Sequence, residues 1–144
     1  MSPQRILVTG GAGFVGSHTV DALVRAGHSV RVFDNLTEQV HAEGKPGYLN
    51  PNVEFHNGDM RDIEAVRKAV DGMDIVFHLA AAVGVGQSMY EIARYMEVNT
   101  QGNANLLQVL LDNKLRFEKL IVASSMSIRS RSIGAASVVG GKEP

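Results

Sequence analysis

No cysteine occurs among the 144 residues, which excludes disulfides and thiolate metal sites but leaves the redox compartment open. No sign of charge dominates either: 14 basic residues face 15 acidic ones, so no global field favours nucleic acid or a membrane surface. No apolar run approaches the ~20 residues of a membrane span. Residues 1–4 lead straight into an apolar strand pattern, which leaves no room for a signal peptide. The five histidines lack close metal-ligand spacing, so no metal is expected. What remains is one domain with a real core, expected to be soluble and cytoplasmic, with neither nucleic acid nor membrane as a partner.

The informative stretch is Thr9-Gly10-Gly11-Ala12-Gly13-Phe14-Val15-Gly16. Before it, Arg5-Ile6-Leu7-Val8 reads as a buried strand; after it, Val15, Thr19, Ala22, Leu23 and Ala26 recur at helical spacing. A glycine-rich turn between strand and helix can cradle phosphate. Gly11 is expected to allow the tight turn, Gly13 the approach of a pyrophosphate, and Gly16 close packing of the helix. The free N–H groups and positive dipole end of that helix would then face the anion. Ser29-Val30-Arg31-Val32-Phe33 reads as a second strand closed by Asp34, the acid that the dinucleotide fingerprint requires about 20 residues past the glycines.

Further along, residues 35–51 read as a turn-rich loop, 52–56 as a third strand, and Ile63, Val66, Ala69 and Val70 as one face of a helix. Residues 74–79 form a fourth strand pattern and 119–123 a fifth. Between them one long helix is expected over 88–111, with Ile92, Met96, Leu106, Leu107, Leu110 and Leu111 inward and Gly102 tolerated at ~1 kcal/mol. Alternating strands and helices predict an α/β doubly wound parallel sheet of five strands, order 3-2-1-4-5, with right-handed crossovers. The domain is expected over 1–125. Residues 126–144 have neither period and read as a weakly ordered tail, in which Arg129 and Arg131 are most simply solvated.

The glycine stretch with Ser17-His18, then Phe33-Asp34-Asn35-Leu36, Gly58-Asp59, His78-Leu79-Ala80-Ala81, Asn99-Thr100-Gln101-Gly102 and Ala123-Ser124-Ser125, resembles the extended short-chain dehydrogenases. These include the NAD-dependent nucleotide-sugar epimerases and dehydratases of the UDP-glucose 4-epimerase type. The resemblance implies a Rossmann fold, NAD as cofactor and a nucleotide-sugar substrate. It implies that Gly10, Gly13 and Gly16, with the backbone of Phe14 and Val15, hold the pyrophosphate. Asp34 would take the ribose hydroxyls, with Asn35 after it favouring NAD over NADP. Asp59 would take the adenine amino group beside Met60, although local sequence equally accommodates a helix N-terminal acid there. Leu79, Ala80 and Ala81 would let the cofactor pass over the sheet edge, and Asn99 would bend the helix and hold the nicotinamide end or a catalytic water. Without the resemblance, Asn99 reads as a plain helical residue and His78 as a structural residue at a strand end. The 88–111 helix would form half of a homodimer's four-helix bundle.

The family's chemistry is hydride transfer at a sugar carbon, assisted by a tyrosine, a lysine four residues later and a Ser or Thr. Ser125 matches the serine, and a turn residue is the other reading. No Tyr-x-x-x-Lys exists: four residues after Tyr48, Tyr90 and Tyr95 stand Asn52, Arg94 and Asn99. Arg129-Ser130 stands where the family writes Tyr-Gly. This abrupt loss of pattern reads as a truncated chain, with a frameshift or premature stop as the hypothesis and Leu120-Ile121-Val122 as an exposed edge. Two functions stay open: the NAD-binding domain of such an epimerase or dehydratase, inactive alone, or a non-catalytic dinucleotide-binding module.

Overall fold

The computed structural model describes residues 2–112 and 117–124. Five short parallel strands form the sheet: β1 (Arg5–Thr9), β2 (Ser29–Asp34), β3 (Glu54–Asn57), β4 (Ile75–His78) and β5 (Lys119–Val122). Their order is β3-β2-β1-β4-β5, as the alternation of elements predicts. β1 pairs with both β2 and β4, so the chain reverses its direction of winding there. Thr9 sits opposite Phe33 on one side and His78 on the other. The C-terminal ends of β1, β2 and β4 thereby reach one edge together, where a crevice opens in doubly wound sheets.

Alternation along β1 builds two cores. Ile6 and Val8 pack with Val20, Val30 and Val32 beneath α1 (Phe14–Arg25). Leu7 points the other way, to Phe33, Val66, Val70, Val76, Leu106 and Val109 beneath α2 (Ile63–Val70) and α5 (Gly102–Asp112). All these side chains are almost fully buried, and each contributes about 1.5–3 kcal/mol relative to exposure.

The helical faces differ from expectation at two places. In α1 the buried residues are Gly16, Ser17 and Val20, whereas Val15 is exposed. The helix meets the glycine turn at its start, and that close approach decides its rotation. The expected helix over 88–111 is divided into α3 (Val85–Ser88), α4 (Ile92–Met96), a π-helical turn at Glu97–Gln101, and α5. At the π turn the Gly102 N–H reaches back to the Glu97 carbonyl, adding one residue to that turn. Along these helices Leu106 and Leu110 are buried, whereas Ile92, Met96, Leu107 and Leu111 are exposed, Leu111 at 75%. Gly102 is where α5 crosses the turn after β3: a Cβ there would stand 2.9 Å from Met60 Cβ. Asn105, buried in the next turn, donates to the carbonyls of Met60 and Arg61 at 2.9 and 3.0 Å.

β5 lies at one edge of the described sheet, with Leu120 and Ile121 half-buried and Val122 exposed. Residues 125–144, which include Ser125 and the expected tail, lie outside the described residues.

Candidate functional site

At the C-terminal edge of the sheet a cavity of about 380 Å³ opens between the glycine turn, the ends of β2 and β3, and the segment after β4. Gly10, Gly13, Phe14, Val15, Gly16, Asp34, Asn35, Asp59, Met60, Leu79, Ala80 and Ala81 all line it. Residues spread over 72 positions of sequence are thus brought to one place. Asn99, singled out with them, does not line it; Val98 does.

The glycine turn divides its work differently from the sequence reading. Gly10, not Gly11, has the left-handed backbone, with φ of 69°. A Cβ at Gly10 would lie 2.7 Å from the Ala80 nitrogen, so no side chain fits between the turn and the segment after β4. Gly11 packs on β2, where a Cβ would meet Val32 Cγ1 at 2.8 Å. Gly16 brings the first turn of α1 against the turn itself: its Cβ would overlap the Gly10 carbonyl oxygen and lie 2.7 Å from Gly11 Cα. No side chain caps the N-terminus of α1, and its first turn carries no acid. Its free N–H groups therefore remain available to an anion in the cavity.

Asp34 organises the adjoining wall. One carboxylate oxygen accepts from the Ala12 N–H at 3.0 Å and the other from the Leu36 N–H at 2.9 Å. Tyr48, reaching back from the loop after β2, donates to the Ala12 carbonyl at 2.8 Å. Leu36 adopts a φ of 50°, unusual for a side chain of this size and costing about 1–2 kcal/mol. Its bond to Asp34 helps hold that conformation beside the cavity. A carboxylate keeps lone pairs beyond these two bonds, so Asp34 can still accept from a vicinal diol.

Asp59 is not the α2 cap. Asp62 fills that role, accepting from Glu64 N–H and Ala65 N–H. Asp59 is instead gripped by Arg61, whose Nε lies 3.0 Å from one oxygen and whose terminal nitrogen lies 2.8 Å from the other. Asn35 donates to it at 3.1 Å. The Arg61 guanidinium, with smaller help from the Arg61 and Asn35 N–H groups and against partial burial, holds this carboxyl well below the ordinary range. Arg61 in turn is pushed up by Asp59 and reaches Glu97 at 3.4 Å.

Asn99 spends its amide on backbone: it accepts from the Ala82 N–H at 2.8 Å and donates to the Ala82 carbonyl at 3.0 Å. It sits within the π turn. His78 is buried between Thr9 and Asn103. Burial pushes its imidazole down, against a smaller upward pull from Asn103.

Several lining residues have no signal in the sequence. Thr37, Gln39 and His41 reach the cavity from the loop after β2, and Arg94 from α4. Gln39 donates to Gln87 at 2.5 Å and accepts from Arg94 at 3.3 Å, tying the loop after β2 to α3 and α4 across the rim. Loop contacts of this kind follow no period. The glycine of the Gly58-Asp59 pair has a steric reason: a Cβ there would strike the Phe33 ring. Among the described residues, no group of His, Asp or Glu is arranged to hold a metal, and no helix is long and apolar enough to cross a membrane.

A parallel sheet that reverses its winding at β1, a glycine turn opening an uncapped helix, and an acid ending β2 together define a dinucleotide-binding Rossmann domain. The sequence model of the NAD dependent epimerase/dehydratase family matches residues 6–134, and the chain belongs to that family. A UDP-glucose 4-epimerase of Cyamopsis tetragonoloba is 37% identical over 136 residues, covering 88% of this chain and 38% of its own length. A 3 beta-hydroxysteroid dehydrogenase/Delta 5-->4-isomerase of Mycobacterium tuberculosis is 35% identical over 143 residues, covering 96% of this chain and 35% of its own. The crystal structure of Thermus thermophilus UDP-glucose 4-epimerase in complex with NAD superposes with a TM-score of 0.74 at 39% identity. That match covers 84% of this chain and 37% of the other. The chain thus spans well under half the length of the proteins it matches.

Proposed function

We propose that this chain binds NAD in the cavity beside the glycine turn and serves as the cofactor-binding part of a nucleotide-sugar epimerase or dehydratase. The observation that carries the reading is the convergence of the α1 N-terminus and Asp34 on one cavity. The chemistry of the lining fits the group. Gly10 and Gly16 leave room that a Cβ would fill, and the uncapped N–H groups of α1 suit a pyrophosphate. Asp34 suits a ribose diol, and Asp59 and Met60 bound the place for a purine.

When bound, NAD supplies a hydride acceptor. This chain's residues bind and orient it: the α1 amides take the phosphates, Asp34 fixes the ribose, and Leu79–Ala82 form an apolar wall without side chains that obstruct. A nucleotide sugar is the proposed substrate, by likeness to the two UDP-glucose 4-epimerases. Ser125, which matches the family's serine in the sequence, is the proposed hydrogen-bonding serine. A cytoplasmic setting is proposed with it, to be checked by fractionation.

Asp34 also sets the cofactor preference. A unit like charge at about 5 Å, with an effective dielectric of about 40 between the protein-surface and bulk-water values, costs roughly 1.7 kcal/mol. Calorimetry should therefore find NAD bound at least about tenfold more tightly than NADP. Equal affinity for both, or binding of neither, would overturn the proposal.

A second reading, a dinucleotide-binding module without turnover, is favoured by one observation: no tyrosine is followed four residues later by lysine. NAD binding without conversion of UDP-sugars supports it; conversion by this chain refutes it. The apolar stripe Ile92, Met96, Leu107 and Leu111, exposed along α4 and α5, is proposed to seat a second copy. Sedimentation should show a dimer that Leu107→Glu with Leu111→Glu dissociates; a monomeric parent chain sinks this part.

A further inference from the structure

The end of β4 and the π turn are joined by a run of hydrogen bonds, buried at the Thr9 end, that dinucleotide binding does not itself use. Thr9 Oγ1 lies 3.2 Å from the N–H nitrogen of Ala80, 3.3 Å from that of Leu79 and 2.7 Å from His78 Nδ1. Across the ring, His78 Nε2 meets Asn103 Oδ1. Asn103 Nδ2 then lies 2.5 Å from the Asn99 carbonyl oxygen. The Asn99 amide closes the circuit on both the N–H and the carbonyl of Ala82.

Backbone groups at the two ends fix the direction of every bond between them. Amide N–H groups only donate: the Leu79 N–H is shared between the Thr9 carbonyl at 3.1 Å and the Thr9 hydroxyl oxygen, which also accepts from Ala80 and keeps its single proton for His78 Nδ1. A carbonyl only accepts, so the Asn103 NH₂ faces Asn99 and its oxygen faces the imidazole. That oxygen needs a proton on Nε2. Both ends therefore assign the same neutral tautomer, with Nδ1 bare and Nε2 protonated. A cation would place an Nδ1–H against the Thr9 hydroxyl, which would then have to turn its own proton away from the ring. The side chains that bond the ring are Thr9 from β1 and Asn103 from α5. No charged side chain among the described residues adds to its shift.

We propose that His78, together with Thr9 and Asn103, is a positioning residue for the nicotinamide half of the dinucleotide. Its Nε2–H ring ties together the two anchors of the Leu79–Ala82 segment, Thr9 at one end and Asn99 at the other. The depth of the cavity wall is thereby set by groups that never enter the cavity. This rests on the dinucleotide-binding reading above. In a doubly wound sheet the two mononucleotide halves lie on either side of the winding reversal. Asp34 ends β2 and Asp59 follows β3 on one side, whereas Leu79–Ala82 follow β4 on the other. Loosening the circuit therefore weakens NAD and spares AMP, which needs only the first side.

The test uses the full chain. Long-range ¹H–¹⁵N correlation on histidine-labelled protein should show His78 as the Nε2–H tautomer at neutral pH; an Nδ1–H tautomer or an imidazolium there overturns the proposal. Calorimetry with NAD and with AMP then compares the parent chain with Thr9→Val and Thr9→Ser. Thr9→Val should weaken NAD roughly tenfold, as loss of a buried acceptor does, with AMP changed less than about twofold; Thr9→Ser should restore NAD. Unchanged NAD affinity, or equal losses for NAD and AMP, overturns the positioning role. Should Thr9→Val fail to fold, Asn103→Asp at the exposed end of the circuit serves instead. Its carboxylate favours the imidazolium, so NAD affinity should fall between about pH 8 and about pH 6 while AMP affinity stays level; a flat NAD profile counts against the proposal. If the parent chain binds no NAD, the dinucleotide reading fails and the positioning role falls with it. The tautomer tells that result from failure of the circuit itself.

Discussion

Replacing Gly16 by alanine sets two effects of opposite sign against each other. Gly16 is the third residue of α1, and in an open helix this change stabilises by about 1 kcal/mol. Here the new Cβ would overlap the Gly10 carbonyl oxygen and stand 2.7 Å from Gly11 Cα and 2.9 Å from the Gly10 carbonyl carbon. All three neighbours are backbone, so no side chain can rotate away. Ordinary contact needs about 3.4–4 Å, and the helix start must move out by roughly 1 Å. Overpacking of this kind costs about 1–3 kcal/mol, occasionally more, and backbone neighbours place it at the upper end. The net loss is about 1–2 kcal/mol, or a fall in Tm of about 3–7 °C for a domain of this size. The same outward shift moves the α1 amides away from the phosphate position, so NAD affinity should drop at least about tenfold. Gly86→Ala is the control: it also lies in a helix, α3, and no atom stands within 4 Å of its Cβ. Thermal unfolding by circular dichroism should find Gly86→Ala level with or above the parent chain. A Gly16→Ala protein with unchanged or raised Tm would refute the steric account of the glycine turn.

Asp34→Ala removes the acceptor for the Ala12 and Leu36 N–H groups as well as the proposed ribose ligand. Bonds to a charged acceptor are worth about 1.5–3 kcal/mol, so calorimetry should find NAD weakened at least about tenfold. Discrimination against NADP should disappear at the same time, and a variant that still prefers NAD by the same factor counts against the assigned role. Arg61→Ala releases Asp59, whose carboxyl is depressed in the folded state. A depressed acid contributes stability that is complete above its unfolded value of 3.8 and is lost as pH falls through the folded one. The Arg61 side chain is 46% exposed, so solvent screening keeps the difference from the parent chain below about 1 kcal/mol at neutral pH. Urea unfolding should show that difference shrinking below about pH 4; a gap constant down to pH 3 would remove the pair from the stability account.

How much of this was legible beforehand depended on whether the cause was local. The strands and their order could be read because Ile6-Leu7-Val8 and Ile75-Val76-Phe77 are apolar runs between turn residues, and alternation with helices leaves few topologies. Asp34 could be read because a fingerprint fixes its distance from the glycines. Gly10 and Gly11 could not be told apart, since their duties depend on Ala80 and Val32, which meet them only after folding. Rotation of the helix after β4 was illegible for a similar reason. An apolar stripe at period 3.6 assumes one uninterrupted helix, whereas an extra residue at Glu97–Gln101 interrupts this one, and of the six residues expected inward only Leu106 and Leu110 are buried. The cause of that extra residue is itself tertiary. Asn99 bonds both backbone groups of Ala82, and Asn103 bonds the Asn99 carbonyl while meeting His78. A residue that reads alone as an ordinary helical asparagine is therefore the place where helix, sheet edge and cavity wall are joined. Its amide acts on the wall rather than in the cavity, and for that reason the sequence pattern marked the position while leaving its task unstated.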